Sequence, residues 1–218
     1  MKRVFDFSLA LILLIILSPL LIPVMLILRF TGEGEVFYRQ ERMGTGNKPF
    51  FITKFATMQK NSPNIGAGDV TLKNDPRVLP FGKFLRKTKI NELPQLWDVL
   101  VGTMSFVGPR PQTLGIHASY PPEFDEVLNN LRPGITGIGS IAFRDEENIL
   151  AEASDYDDCY RNQIIPHKAR LEKWYMDNQS FLMDLLIILV TAWVVLFPNS
   201  NLLYRIYPTL PKFSVQNG

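Results

Sequence analysis

Residues 7–28 read FSLALILLIILSPLLIPVMLIL, about 22 positions without a charge, with Ser18-Pro19 in their midst. A helix of that length crosses the hydrocarbon core of a bilayer. Pro19 removes a backbone donor and crowds the preceding turn, which predicts a kink or break near Ser18. Ser18 itself, inside an apolar helix, reads as support for the backbone freed there rather than as a nucleophile. Lys2 and Arg3 precede the run, and Arg29, Arg39 and Arg42 follow it. Cytoplasmic flanks attract Lys and Arg, so cations on both sides fit a re-entrant membrane helix over 1–30 that enters and leaves by one face. A straight bitopic anchor with a tolerated proline is the rival. The run exceeds the apolar region of a secretion signal and no small-residue cleavage site precedes Arg29, so no cleavable signal peptide is expected.

Outward from the anchor, residues 31–198 suit one compact domain and 199–218 a C-terminal tail. Charged residues are 20% of the chain and the formal net charge is +2, which indicates neither disorder nor nucleic-acid binding. Cations are nonetheless dense between Arg39 and Lys89. Anionic headgroups, a phosphorylated substrate or solubility would each account for them. Cys159 is the only cysteine, which excludes an intramolecular disulfide and a cysteine-based zinc site and agrees with a reducing compartment.

Short apolar runs at 36–38 and 50–52, separated by Gly44, Gly46, Asn47 and Pro49, predict a strand pair. The glycines complete no dinucleotide fingerprint, so a Rossmann domain is rejected. Residues 61–80 predict a long surface loop. Leu93, Leu96, Trp97, Leu100 and Val101 recur at helical spacing, giving an amphipathic helix that starts near Asn91 and ends at Gly102. Gly108-Pro109-Arg110-Pro111 then forces an extended turn. Further helices are expected at 123–131, at 145–161 with a solvated acidic face, and at 164–178. The segment 181–197 is apolar apart from Asp184, which leaves it short for a span, so it reads as interfacial or core-packed. The fold class is mixed α/β, helix-rich with short strands. His117 and His167 lack metal-ligand spacing and read as structural. Trp97, Trp174 and Trp193 read as core or interface anchors.

Arg86-Lys87-Thr88-Lys89-Ile90-Asn91-Glu92 places cations and one carboxylate at the start of the 93–101 helix. Unpaired N–H groups at a helix start attract phosphate, arginine offers a planar fork to its oxygens, and Glu92 could hold a hydrated magnesium ion. These pieces suit magnesium-dependent phosphoryl transfer above a membrane anchor. On composition alone, Asn91 as a plain N-cap and Glu92 as a first-turn acid complementing the dipole are the better explanation.

Ordered motifs bear on that choice. They are Lys2-Arg3-Val4-Phe5-Asp6, the Ser18-Pro19 helix, Tyr38-Arg39-Gln40-Glu41-Arg42-Met43-Gly44, Lys54-Phe55-Ala56-Thr57-Met58 and Asn74-Asp75-Pro76-Arg77. Phe84-Leu85-Arg86-Lys87-Thr88, Glu92-Leu93-Pro94-Gln95-Leu96-Trp97 and Met104-Ser105-Phe106-Val107-Gly108-Pro109-Arg110-Pro111 follow. Arg132-Pro133-Gly134-Ile135-Thr136-Gly137 and Ser180-Phe181-Leu182-Met183-Asp184 come last. Over roughly residues 2–195 the chain resembles the bacterial sugar transferases, small monotopic phosphoglycosyl transferases.

The resemblance implies transfer of a sugar-1-phosphate from a UDP-sugar to polyprenyl (undecaprenyl) phosphate, releasing UMP and initiating glycan assembly. It implies Mg2+ held by Glu92, and a re-entrant helix setting the catalytic domain on the cytoplasmic face of a bacterial inner membrane. Asn91, Glu92, Arg86 and Glu172 fall to catalysis, and Arg110, Lys54, Arg77 and Arg144 to substrate binding. Downstream glycosyltransferases and a second copy of the chain are partners it admits. The chain also departs from the pattern. Asn91 stands at the family's nucleophilic Asp, Ala56 at a usual Arg, and Glu172 at a usual Asp. After Thr136-Gly137 only Arg144 aligns. A neutral amide is a very poor nucleophile beside a carboxylate. Three accounts follow: direct attack by the lipid phosphate in a ternary complex, another acid as nucleophile, or an inactive membrane-bound homologue that binds sugar nucleotide or recruits a glycosyltransferase.

Overall fold

A computed structural model describes residues 1–62, 75–153 and 155–213. The apolar run forms one 29-residue helix, α1 (Lys2–Phe30), which continues through Ser18 and Pro19 instead of breaking. Pro19 has no N–H for the Ile15 carbonyl four residues back. Ser18 Oγ donates to that carbonyl at 2.8 Å, which restores the bond whose loss predicted a break. Among the described residues α1 is the one helix long and apolar enough to cross a membrane. Ile12, Ile15, Ile16 and Leu26 on it are exposed, an apolar surface suited to lipid.

By its contacts the chain divides into two units. One contains Arg3–Arg42 and Phe51–Gly102. Here β1 (Phe37–Met43) and β2 (Pro49–Phe55) form a two-stranded sheet that extends the expected strand pair. After the loop, of which 63–74 lie outside the described residues, come α2 (Pro80–Lys87) and α3 (Gln95–Val101). Leu21, Val24 and Leu28 of α1 form a core with Phe55 and Leu85, each contributing roughly 1.5–3 kcal/mol of gross burial energy. A Cβ on Gly82 would strike the Thr57 backbone, so glycine lets α2 lie directly against that segment.

The apolar periodicity of α3 misjudges its buried face. Trp97 is 56% and Val101 53% exposed, whereas Asp98 is 4% exposed. The Asp98 carboxylate accepts from Thr53 N–H at 2.8 Å and from Thr53 Oγ1 at 3.0 Å, and these bonds turn its side of the helix inward. Arg3 donates to the carbonyls of Val99 and Leu100 at 2.5 and 2.7 Å, meeting groups the end of α3 leaves unpaired. Gly102 closes the helix as expected, at φ 96°.

The other unit holds Met1–Lys2, Met43–Phe50 and the chain from Thr103 on. Its β3 (Ser105–Val107) and β4 (Gly134–Thr136) pair in parallel, Ser105 opposite Gly134 and Val107 opposite Thr136. Helices α4 (Leu114–His117) and α5 (Glu123–Asn130) connect them. Then follow α6 (Ile138–Ala142), α7 (Glu146–Glu152), α8 (Tyr156–Asp158), a π-helical stretch at Cys159–Ile164, α9 (Ile165–Asn178), α10 (Phe181–Leu196) and α11 (Leu202–Ile206). The acidic 145–161 stretch is thus three pieces rather than one helix. Asp155 accepts from the amides of Asp157 and Asp158 and starts a new turn, because a short acceptor side chain favours a cap over a helix interior.

In α10, Met183, Ile187, Val190 and Val194 are buried while Leu182, Leu189 and Val195 are exposed. Asp184, which interrupts the apolar run, is buried and held by Lys2 Nζ at 2.6 Å and by the Tyr175 hydroxyl. Beyond α10 the chain packs on the same unit: Leu203 and Leu210 are buried, and Phe213 lies edge-on to Phe143 and His167. His167 Nε2 is 3.2 Å from the Pro211 carbonyl, in keeping with a structural histidine.

Candidate active site

In the unit built on α1, the turn after α2 carries the central candidates. Lys89 adopts a left-handed conformation, φ 59°, and Ile90–Glu92 form a 3-10 turn. The expected helix start at Asn91 is therefore corrected to Gln95, with Pro94 at the cap. Proline has no N–H to donate, so the chain places it ahead of the helix and the preceding residues tighten into i→i+3 bonding. The amides of Glu92 and Leu93 are already committed, to the carbonyls of Lys89 and Ile90 at 3.1 Å each. Affinity for an anion here rests on side chains rather than on a helix start at Asn91.

Glu92 Oε1 lies 3.0 Å from Lys54 Nζ, their side chains 22% and 16% exposed. That leaves a charged pair within reach of a ligand and only partly desolvated, where exchange of the lysine for a metal ion or phosphate costs little. Arg86 Nη1 approaches Thr57 Oγ1 at 3.5 Å. Asn91 is 7% exposed, and its Oδ1 accepts no hydrogen bond among the described residues. Arg77 is a different case. It is 4% exposed, bonded to Asp75 through Nε at 2.9 Å and Nη2 at 2.6 Å, and to the Ser62 carbonyl at 2.8 Å. Its guanidinium ties protein to protein.

In the other unit, Arg110 leaves β3 two residues after Gly108 and is exposed. Glu172 on α9 is 4% exposed. Its Oε1 accepts from Gly139 N–H at 3.2 Å, while Oε2 has no partner among the described residues. Burial pushes the Glu172 carboxyl up from its ordinary 4.5 to about 7, against the Gly139 amide and the Lys168 charge, which favour ionisation. Lys168 bonds Glu146 Oε2 at 2.6 Å, and burial draws its pKa down. Arg144 donates to the carbonyls of Ile141, Pro198 and Ser200.

Lys54, Arg77, Arg86, Asn91 and Glu92 thus share one unit, and Arg110, Arg144 and Glu172 the other. Thr57 and the Lys168–Glu146 pair were not foreseen. Lys168 lies four residues before Glu172, a helical spacing that could have drawn attention to it. Among the described residues no three His, Cys, Asp or Glu side chains cluster as a metal cage. Magnesium does not need one, since one or two carboxylates, substrate phosphates and water suffice. Glu92 and the unpartnered Asn91 amide oxygen are hard donors of the right kind, so the residues fit that ion.

The family model of the bacterial sugar transferases matches residues 1–198. The chain belongs to the bacterial sugar transferase family. Its relatives within the family include the exopolysaccharide production protein PSS of Rhizobium leguminosarum bv. phaseoli, 33% identical, with 88% of this chain and 93% of that one covered. The undecaprenyl-phosphate galactose phosphotransferase of Salmonella typhimurium is 34% identical over 90% of this chain and 40% of its own. An Aeromonas hydrophila UDP-N-acetylgalactosamine-undecaprenyl-phosphate N-acetylgalactosaminephosphotransferase is 33% identical over 89% and 43%. The chain therefore spans less than half the length of the latter two relatives.

Proposed function

We propose that this chain is a membrane-associated phosphoglycosyl transferase that moves a sugar-1-phosphate from a UDP-sugar to undecaprenyl phosphate. The observation that carries the reading is the partly exposed pair between Lys54 of β2 and Glu92 in the turn that follows α2, in a chain matched by the family over residues 1–198. Relatives named for galactose and N-acetylgalactosamine share the undecaprenyl-phosphate acceptor, which supports the lipid acceptor while leaving the sugar open.

In this reading an oxygen of the lipid phosphate attacks the phosphorus that bears the sugar. The bond from that phosphorus to the bridging oxygen breaks, and UMP leaves with the electron pair. Asn91 has no charge to donate, so no phosphosugar is held on it, and the attacking oxygen is the lipid's own, already anionic. Glu92 would hold Mg2+ against the diphosphate, and a bound Mg2+ would neutralise charge that grows on the leaving phosphate. Lys54 and Arg86 orient the same oxygens. Helix α1 enters and leaves by the cytoplasmic face of the inner membrane, turning back by a bend at its prolines rather than by a break in the helix. The basic residues on both flanks and the prolines at 19 and 23 support this. The lipid-linked product is then a substrate for glycosyltransferases that extend it.

The Asn91 substitution favours one second reading, an inactive homologue that binds sugar nucleotide. The experiment is UMP release from a panel of UDP-glucose, UDP-galactose and UDP-N-acetylgalactosamine with undecaprenyl phosphate and Mg2+, alongside intact-mass spectrometry. The proposal expects UMP only when donor and acceptor are both present, with no mass increase from donor alone. No turnover with any of the three, with nucleotide binding retained, would favour the second reading. A phosphosugar adduct would overturn direct attack.

A further inference from the structure

The parallel strands β3 and β4 leave their sheet at Gly108 and Gly137, and a buried carboxylate lies against the turn after β4. Gly108 N–H donates to the Thr136 carbonyl at 3.0 Å, and Gly134 N–H to the Pro109 carbonyl at 2.9 Å. A Cβ on Gly137 would press on the Gly108 carbonyl and touch Glu172 Oε1, and one on Gly139 would collide with the same oxygen. Gly137 is extended, φ −178°, so the close approach rather than backbone freedom excludes a side chain there. Glu172 Oε1 accepts from Gly139 N–H at 3.2 Å. Arg110 emerges two residues beyond Gly108, on the strand exit that Gly137 packs against. Ligands of parallel sheets bind at these carboxyl ends.

We propose that Glu172 is a positioning residue: through Gly139 and Gly137 its carboxylate fixes the turn that leaves β4, against which the exit of β3 packs at Gly108, and so the presentation of Arg110 to the diphosphate of the sugar nucleotide. The statement about the diphosphate rests on the transferase reading above. The ionised carboxylate is the stronger acceptor for the Gly139 amide, and the carboxyl titrates near 7, so protonation loosens the turn within a working pH range. Among the described residues, Lys168 on α9 itself and Tyr120 before α5 interact with its charge. Lys168 is bonded to Glu146 on α7. Arg110 after β3 acts on both Lys168 and Tyr120, and Tyr160 in the π-helical stretch on Tyr120. Helix α6 carries no titratable side chain. Lys173 of α9 pairs instead with Glu126 of α5 and with Asp177.

Two measurements on the full chain in lipid nanodiscs test this. In protein labelled with 15N-glycine, the Gly139 amide resonance should shift with a midpoint near 7 in wild type and stay fixed in Glu172→Gln, which keeps the shape and removes the charge. Calorimetry with UDP-glucose, whose diphosphate does not titrate between pH 6 and 8.5, should give wild-type affinity about tenfold tighter at pH 8 than at pH 6. Glu172→Gln should bind weakly and equally at both, and Arg110→Ala should lose the pH dependence. A Gly139 resonance indifferent to pH, a Glu172→Gln profile identical to wild type, or no binding of UDP-glucose at any pH overturns the proposal. UDP-glucose binding with the expected pH profile, but no UMP released from any donor, sinks the transferase reading and leaves this one supported.

Discussion

Ser18 Oγ donates to the carbonyl of Ile15 at 2.8 Å, the one carbonyl that Pro19 leaves without its amide partner. In an apolar phase no water replaces a missing donor, so the hydroxyl keeps α1 continuous. Ser18→Ala should lower stability by about 1 kcal/mol, whereas Ser18→Thr keeps the donor and should melt like wild type. Circular dichroism melts in detergent micelles read the difference; an unchanged Ser18→Ala melt would mean that Ile15 is satisfied by other means.

The re-entrant course proposed for α1 predicts that its start and its end are accessible from the same side. Lys2 is bonded to Asp184 and Val107, so a label is better placed on a cysteine added ahead of Met1, in a Cys159→Ser background. Labelling of intact cells by a membrane-impermeant maleimide should fail until the membrane is opened. Labelling from outside would establish a bitopic helix.

The family resemblance gives Arg77 to substrate, yet its guanidinium bonds Asp75 and the Ser62 carbonyl. Removing one partner of a buried ion pair leaves the other charge uncompensated. Arg77→Met should therefore lower the melting temperature clearly, while KM for the sugar nucleotide, measured well below the melt, stays within about twofold of wild type. A stable protein with strongly raised KM would restore the substrate contact.

Glu92→Gln keeps the size of the side chain and removes its charge. With Glu92 holding magnesium, UMP release should fall by roughly a hundredfold or more, and chelation should silence the wild type. Full activity of Glu92→Gln with Mg2+ present would rule out the assignment.

Glu172 also makes stability depend on pH. Its folded value of about 7 lies above its ordinary 4.5, so folding favours the protonated form. The stabilisation is complete below about 4.5 and is lost as pH rises through 7. Relative to Glu172→Gln, wild type should lose about 3 kcal/mol between pH 4.5 and 8. Parallel melting curves for the two proteins would show a constant gap if the carboxyl does not titrate there.

The sequence alone determined what one-dimensional pattern can carry. The charge-free run at 7–28 meant a long apolar helix because its length and composition admit little else. Gly102 meant a helix end, since a left-handed cap favours glycine. The ordered motifs from Lys2 to Asp184 marked the family. Tertiary contacts decided the rest. Asp98 turned inward and Trp97 outward because Thr53, on a strand far away in sequence, offered two donors to a carboxylate, which no helical periodicity encodes. Asp184 looked like an interruption of an apolar helix until Lys2 and Tyr175 met it. Arg77 and Arg144 shared the chemistry of Arg86, and only the carbonyls and carboxylate around them made them ties within the protein. The same holds for Glu172, whose burial and bond to Gly139 arise where α9 meets the turn after β4. A side chain's charge is written in the chain, but the dielectric and the partners that set its role come from residues brought together only by folding.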